Sequence, residues 1–153
     1  MKNTYFDNMR AESDAWRAAR DIRRAEKQEL ENKEDWDAVK AWNEREKTEF
    51  PYPISRGAGK ALRAYEDTNC CEASEFMVRE LPWESGTAED FVRTMKEAGI
   101  TEFVTIDEST ALMRVLHELD GLGCRMVGLA AITVTDSWNN RRVEKNGIRM
   151  RIV

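Results

Sequence analysis

The chain contains one histidine, His117, and three cysteines, Cys70, Cys71 and Cys124. Together with Asp107 and Ser109 these are the side chains that nucleophilic catalysis would need. Such a mechanism takes a hydroxyl or thiol, an imidazole to accept its proton and a carboxylate to orient the ring. None of them lies in a nucleophile elbow or in the cysteine context that this chemistry uses. His117 falls in a helical stretch beside an inward-facing Leu116, where a solvated imidazole is the commoner role. The same cysteines and histidine are of the right type to bind zinc. Their order, two adjacent cysteines, then the histidine, then a third cysteine, lacks the C-x₂-C knuckle, and small buried thiols account for them. Arg56-Gly57-Ala58-Gly59-Lys60 has the composition of a phosphate loop. It lacks the longer spacer, the hydroxyl after the lysine and the preceding strand, so it reads as linker. The pairs Glu89/Asp90 and Asp107/Glu108 stand at expected helix N-termini, where capping and the helix dipole explain them. No catalytic residue, metal ligand or cofactor follows from these patterns, and the expected class is non-enzymatic.

Two charge patterns remain. Arg17, Arg20, Arg24 and Lys27 share a stripe about 80° wide on one helix, with Arg23 adjacent. Such a stripe can meet phosphates or an acidic protein surface, or dock within the chain itself. The second pattern is acidic. Residues 1–69 carry a net charge of −1, residues 70–120 carry −8 and residues 121–153 carry +4, for a total of −5. Glu84, Glu89, Asp90, Asp107 and Glu108 lie in the acidic block, which would repel nucleic acid and suit a basic protein surface. Clustered carboxylates can also imitate the spacing of nucleic-acid phosphates.

The elements that must hold these groups follow from periodicity. Residues 8–31 have no Gly or Pro, and Ala15, Trp16, Ala19, Ile22 and Leu30 recur on one side, which predicts an amphipathic helix. A second helix is expected from Glu34 to Thr48, with Trp36, Val39 and Trp42 on one face; its tryptophans need burial or a partner. Phe50-Pro51-Tyr52-Pro53 ends helical structure. The chain therefore divides into a charged helical arm (1–49), a linker with a short helix at 60–66 (50–69) and a small α/β domain (70–153).

In that domain strands are expected at 75–79, 102–106, 125–134 and 148–153, with helices after Thr87 and after Asp107 or Ser109. Thr87 and Asp90 suggest a capping box, and Gly99, Gly121 and Gly123 suggest helix stops. The order βαβαββ gives an α+β fold: a small mixed sheet with its helices on one face and the arm available to cover the other. The strand 125–134 is the longest and most apolar, and is expected in the centre.

The charged fraction of 35% points to long solvated helix faces. An odd number of cysteines, two of them adjacent, does not suit a disulfide framework, and no apolar run or signal sequence is evident. A reducing, cytoplasmic location without membrane contact is the expectation.

Residues 72–153 resemble a family of functionally uncharacterised small α/β proteins from mobile elements of gut Firmicutes. The likeness rests on EFMVRELPW (75–83), GITEFVTIDESTALMRVLHEL (99–119) and GCRMVGLAAITV (123–134). The resemblance implies a small α/β fold and supplies no catalytic residues to carry over to this chain. Its context implies a counter-defence protein of the anti-CRISPR type, one that binds a CRISPR effector or other host nuclease and blocks nucleic-acid access. Arg17, Arg20, Arg23, Arg24, Lys27, Trp36, Trp42, Glu84, Glu89, Asp90, Asp107 and Glu108 are the candidate contact residues. The alternatives are a nucleic-acid-binding accessory protein that uses the basic stripe and a small enzyme centred on His117.

Overall fold

The computed structural model describes residues 1–153. The elements run α1 (Thr4–Asn32), α2 (Trp36–Glu49), α3 (Arg56–Cys70), β1 (Met77–Val78), α4 (Ala88–Glu97), β2 (Glu102–Thr105), α5 (Leu112–Gly121), β3 (Cys124–Asp136) and β4 (Arg141–Ile152). This is an α+β fold with helices preceding a four-stranded mixed sheet. They form two compact units, residues 8–54 and residues 1–7 with 55–153. No helix is long and apolar enough to cross a membrane.

In the α/β unit the sheet order is β1-β2-β4-β3. β1 and β2 are parallel and joined by α4; β4 is antiparallel to both β2 and β3. The apolar β3, expected in the centre, is therefore an edge strand. β4 turns back at Ser137–Asn140 and enters between β3 and β2, which the tight turn permits because Asn140 adopts φ 52° and Asp136 Oδ1 accepts from Trp138 N at 2.8 Å. The sequence carries no signal of which strand β4 will pair with on its far side.

Register assigns the faces, since side chains alternate along each strand. Phe103 and Met150 are paired neighbours on the helix-covered side, where Phe91 of α4 meets Phe103 edge-on at 6.0 Å. The opposite side carries Met77 and Val104, also paired. Part of that side is filled from within the unit itself. The hairpin of β3 and β4 runs on past β2, and its distal half meets the chain that leads into β1. Ser74 N donates to Thr133 O at 2.9 Å and Thr135 N to Cys71 O at 2.7 Å. Cys71, Met77, Val104, Ile132 and Val134 form the core enclosed by this bend.

α3 is longer than the short helix expected in the linker and is part of the unit: Ala61, Leu62, Ala64, Tyr65 and Thr68 are buried. Thr68 Oγ1 accepts from Met77 N at 2.9 Å, which ties α3 to β1. Residues 1–7 also belong here, through Phe6, which is fully buried against Tyr65 and Phe76.

Two expected caps do not form. Thr87 makes no side-chain cap bond; its hydroxyl donates backwards to Glu84 O at 2.6 Å. α5 starts at Leu112 without a side-chain cap, because Asp107 serves the loop instead. Its oxygens accept from Leu81 N at 2.8 Å and Ser109 N at 2.7 Å. Gly99 and Gly123 do terminate α4 and α5, with φ of 73° and 80°.

The second unit is a helical hairpin. Asp35 caps α2 by accepting from Ala38 N at 3.2 Å, and Glu34 makes the turn at φ 56°. The chain after α2 lies back along α1: Trp16 Nε1 donates to Phe50 O at 3.1 Å, and the hydroxyls of Ser13 and Tyr52 are 2.7 Å apart.

Candidate interaction surfaces

Only part of the expected apolar face of α1 is covered: Trp16 and Leu30 are partly buried and the rest is not. Ala15, Ala19 and Ile22 face solvent, Ile22 with 79% of its surface exposed. Trp16, Arg20, Arg23 and Lys27 are partly buried. The reason is size and stem chemistry. Alanines cover little area, whereas arginine and lysine stems cover aromatic rings while their charged heads reach partners.

Arg23 shows this most clearly. Its Nε and Nη2 donate to the two oxygens of Glu46 at 2.6 and 3.0 Å, and its guanidinium carbon stands 3.9 Å over the Phe50 ring. Arg20 lies over Trp16 at 5.2 Å. Lys27 lies over Trp42 at 5.5 Å and 3.7 Å from Glu31. Arg17 and Arg24 are the exposed members of the stripe. Of the two tryptophans on α2, Trp42 is buried and Trp36 is 63% exposed.

Glu46 is buried, and the hydrogen bonds from Arg23 hold its carboxyl below the usual carboxylate range. A depressed pKa contributes stability that is complete above the unfolded-state value and is lost as pH falls through the folded value. Helical signal in circular dichroism is therefore expected to fall on acidification below about pH 4. Glu46→Gln should lower stability at neutral pH and flatten the acid limb. An unchanged acid limb in that variant would remove Glu46 from the account.

The acidic block does not stand free. The +4 of the last segment neutralises part of it across the sheet. Arg151 faces Glu102 in register and binds it at 2.7 Å. Arg149 binds Glu75 at 2.7 Å and approaches Glu102 at 3.6 Å. Lys60 binds Glu80 at 2.6 Å. Asp107 is buried and bonded to backbone, and Asp90 pairs with Arg93 one turn on. Glu89 and Glu108 are exposed. Glu84 is half-buried and lines a cavity with Arg56, Arg63 and Arg79.

The cysteines and the histidine are not brought together as a metal site: no group of three or more His, Cys, Asp or Glu side chains is placed to hold an ion. Cys124 is fully buried, and burial pushes its thiol up to about 12, so it stays protonated. Cys71 is buried and its Sγ accepts from Arg79 Nη2 at 2.9 Å; Cys70 and His117 are exposed.

Sequence reasoning missed the outer edge of β3. Met126, Val127 and Leu129 are 61%, 48% and 89% exposed. Further along the same edge Thr133 and Thr135 bond to Ser74 and Cys71. By alternation Leu129 and Ala131 also turn their backbone groups outward, and no partner meets them. A β-bulge at Met126/Gly128 bends the strand at this place. Apolar composition signalled burial here, and only the sheet order shows that this stretch is left open.

Comparison with curated proteins and with solved structures finds no match. A family model described as a domain of unknown function (DUF7698) matches residues 60–152. The match runs from α3 to the end of β4, leaves the hairpin outside, and covers most of the chain, which therefore belongs to the DUF7698 family.

Proposed function

We propose that the chain is a non-enzymatic protein-interaction module and that its principal contact is the open edge of β3. The observation that carries this reading is the row Met126, Val127 and Leu129, exposed on the stretch of β3 where the outward backbone groups of Leu129 and Ala131 have no partner. Exposed apolar patches usually mark interfaces, and a long open edge is a liability that folds otherwise blunt or cover. An extended segment of a partner can add as a further strand, with main-chain bonds for affinity and apolar contacts for selection. The resemblance to mobile-element proteins makes a CRISPR effector or another host nuclease the first partner to try, with steric block of nucleic-acid access as the mechanism.

The test is a purified effector and the full chain, read by direct binding and by interference in cells. Leu129→Lys combined with Met126→Glu alters exposed positions, so stability should change by no more than about 1 kcal/mol. Binding should weaken by about a hundredfold or more, the effect of losing central apolar anchors. Undiminished binding by this folded variant would refute the β3 edge as the contact.

The nucleic-acid reading has less support. Arg20, Arg23 and Lys27 are engaged with aromatic rings or carboxylates, which leaves Arg17 and Arg24 as the open cations of the stripe. It predicts salt-dependent binding of DNA or RNA that is lost in Arg17→Glu/Arg24→Glu.

A further inference from the structure

We infer that the tip of the β3–β4 hairpin is a contact for single-stranded nucleic acid, with Trp138 as the platform for a base and Arg141 and Arg142 as partners of the adjoining phosphates. This is a different place from the β3 edge and from the basic stripe of α1, and the inference stands without either.

Trp138 is 95% exposed, the most exposed of the large apolar side chains. Its ring has no aromatic neighbour and no cation over it, so both faces are open. The backbone beneath it is fixed. Asp136 Oδ1 accepts from Trp138 N at 2.8 Å, Asp136 O from Asn140 N at 2.8 Å and Asn139 Oδ1 from Arg141 N at 3.1 Å. An aromatic side chain on a fixed turn loses little freedom when it binds.

The charge of the tip has one sign. Residues 137–143, Ser-Trp-Asn-Asn-Arg-Arg-Val, include two arginines and no carboxylate. Of the six cations in residues 121–153, Arg149 and Arg151 are paired with Glu75 and Glu102, and Arg125 lies 3.9 Å from Asp120. Lys145 shares a cavity wall with Glu108 and Glu144. Arg141 and Arg142 are the two left; both are exposed, and no carboxylate is paired with either. Arg142 Nη1 donates to Glu72 O at 2.6 Å and Thr135 Oγ1 at 3.0 Å, which steadies the guanidinium and leaves its Nη2 for an anion. Asp136, opposite Arg141 in register, is spent on the turn through the bond from Trp138 N.

An open indole beside two unpaired guanidinium groups fits a flat ring joined to an anion. A nucleotide in a single strand supplies both, a base to stack and phosphates for the arginines. A duplex hides its base faces in the stack. A bilayer fits less well, because Trp138 is the only apolar side chain from Asp136 to Arg142 and membrane binding grows with the apolar area buried.

The experiment titrates the ¹⁵N-labelled full chain with a short oligothymidylate at 50 mM salt and follows the indole and backbone N–H signals. The Trp138 indole is identified as the signal missing in Trp138→Ala. That variant alters a side chain that packs on nothing, so its urea midpoint should match the parent. A saturable shift of the Trp138 indole and of the Arg141 and Arg142 amides is expected, half-complete on the order of 10⁻⁴ M, the weak end of non-specific binding. An abasic strand of equal length keeps the phosphates and lacks the bases. Its binding to the parent, and the binding of oligothymidylate to Trp138→Ala read at the two arginine amides, should each be about tenfold weaker, the effect of one stacked base. Raising salt to 200 mM should weaken the parent about sevenfold, as two phosphate contacts on a single strand require, and Arg141→Gln/Arg142→Gln should lose most of that dependence. An unmoved Trp138 signal, or equal binding of the oligothymidylate and the abasic strand, overturns the site. Binding lost in Arg17→Glu/Arg24→Glu and kept in Trp138→Ala assigns the strand to α1 and also overturns it. A Trp138 shift with phosphatidylserine vesicles and none with the oligonucleotide assigns a membrane contact and overturns it as well.

Discussion

Gly57→Ala will destabilise the α/β unit by about 3 kcal/mol, while Gly59→Ala, two residues further along the same helix, will leave it unchanged or slightly more stable. Both glycines lie in α3, so both exchanges bring the same gain in helix propensity, up to about 1 kcal/mol. They differ in what a methyl group would meet. At Gly57 a Cβ would stand 2.7 Å from Asp90 Cβ, 2.8 Å from Phe91 N and closer still to Thr87 O. These atoms belong to the start of α4, and two of the three are backbone, which cannot swing aside. Relief requires α3 and α4 to separate, and their contact helps to bury Phe91 and Ala61. At Gly59 nothing lies within 4 Å. The measurement is a urea midpoint for each variant at neutral pH. Equal midpoints for the two would show that α3 and α4 can part without cost, and the close crossing would lose its standing as a determinant of the fold.

Gly57 also marks the boundary of what the sequence discloses. RGAGK reads as a flexible joint because glycine frees the backbone, yet here glycine serves close approach of two helices, which depends on a residue thirty positions away. Local signals were legible: the βαβαββ order, the stop at Gly99, the end of α2 before Phe50–Pro53 and the two arm helices all follow from periodicity and turn chemistry. Non-local ones were not. β4 pairs with β2 as well as β3, and nothing in IRMRIV states its second partner. The charge of the acidic block was legible as a sum, but its partial neutralisation by Arg149 and Arg151 depends on that pairing. In α1 the apolar residues were read as the buried side. Alanine gives weak amphipathic signals, and the packing was decided by Trp16 and the arginine stems that lie over rings. The arm's cations and tryptophans could be grouped from the sequence, while their division between partly buried and exposed positions needed coordinates. The β3 edge could not be found at all without the sheet order.

Phe6→Ala is the second large effect, and it tests whether the extreme N-terminus is part of the α/β unit or an appendage to it. Phe6 has no exposed surface. Its ring stacks on Tyr65 at 5.0 Å with an interplanar angle of 17° and lies 6.1 Å from Phe76. Polar bonds hold the segment on either side of it. Asn3 Nδ2 donates to Ala98 O at 2.9 Å, and the Tyr65 hydroxyl donates to Asp7 Oδ1 at 2.7 Å. Truncating a fully buried phenylalanine removes its transfer energy and leaves a cavity, together about 3–5 kcal/mol. That is a large share of the 5–15 kcal/mol or so available to a domain. Phe6→Leu keeps most of the volume and should cost no more than about 1.5 kcal/mol. The pair separates packing from chain entropy, because neither exchange alters backbone freedom. Near-ultraviolet circular dichroism followed through urea unfolding reads the ordered aromatic cluster directly. A Phe6→Ala midpoint within error of the parent would mean that residues 1–7 rest on the unit without holding it. The expected loss would show instead that a segment some fifty residues before α3 closes the aromatic cluster of the α/β unit.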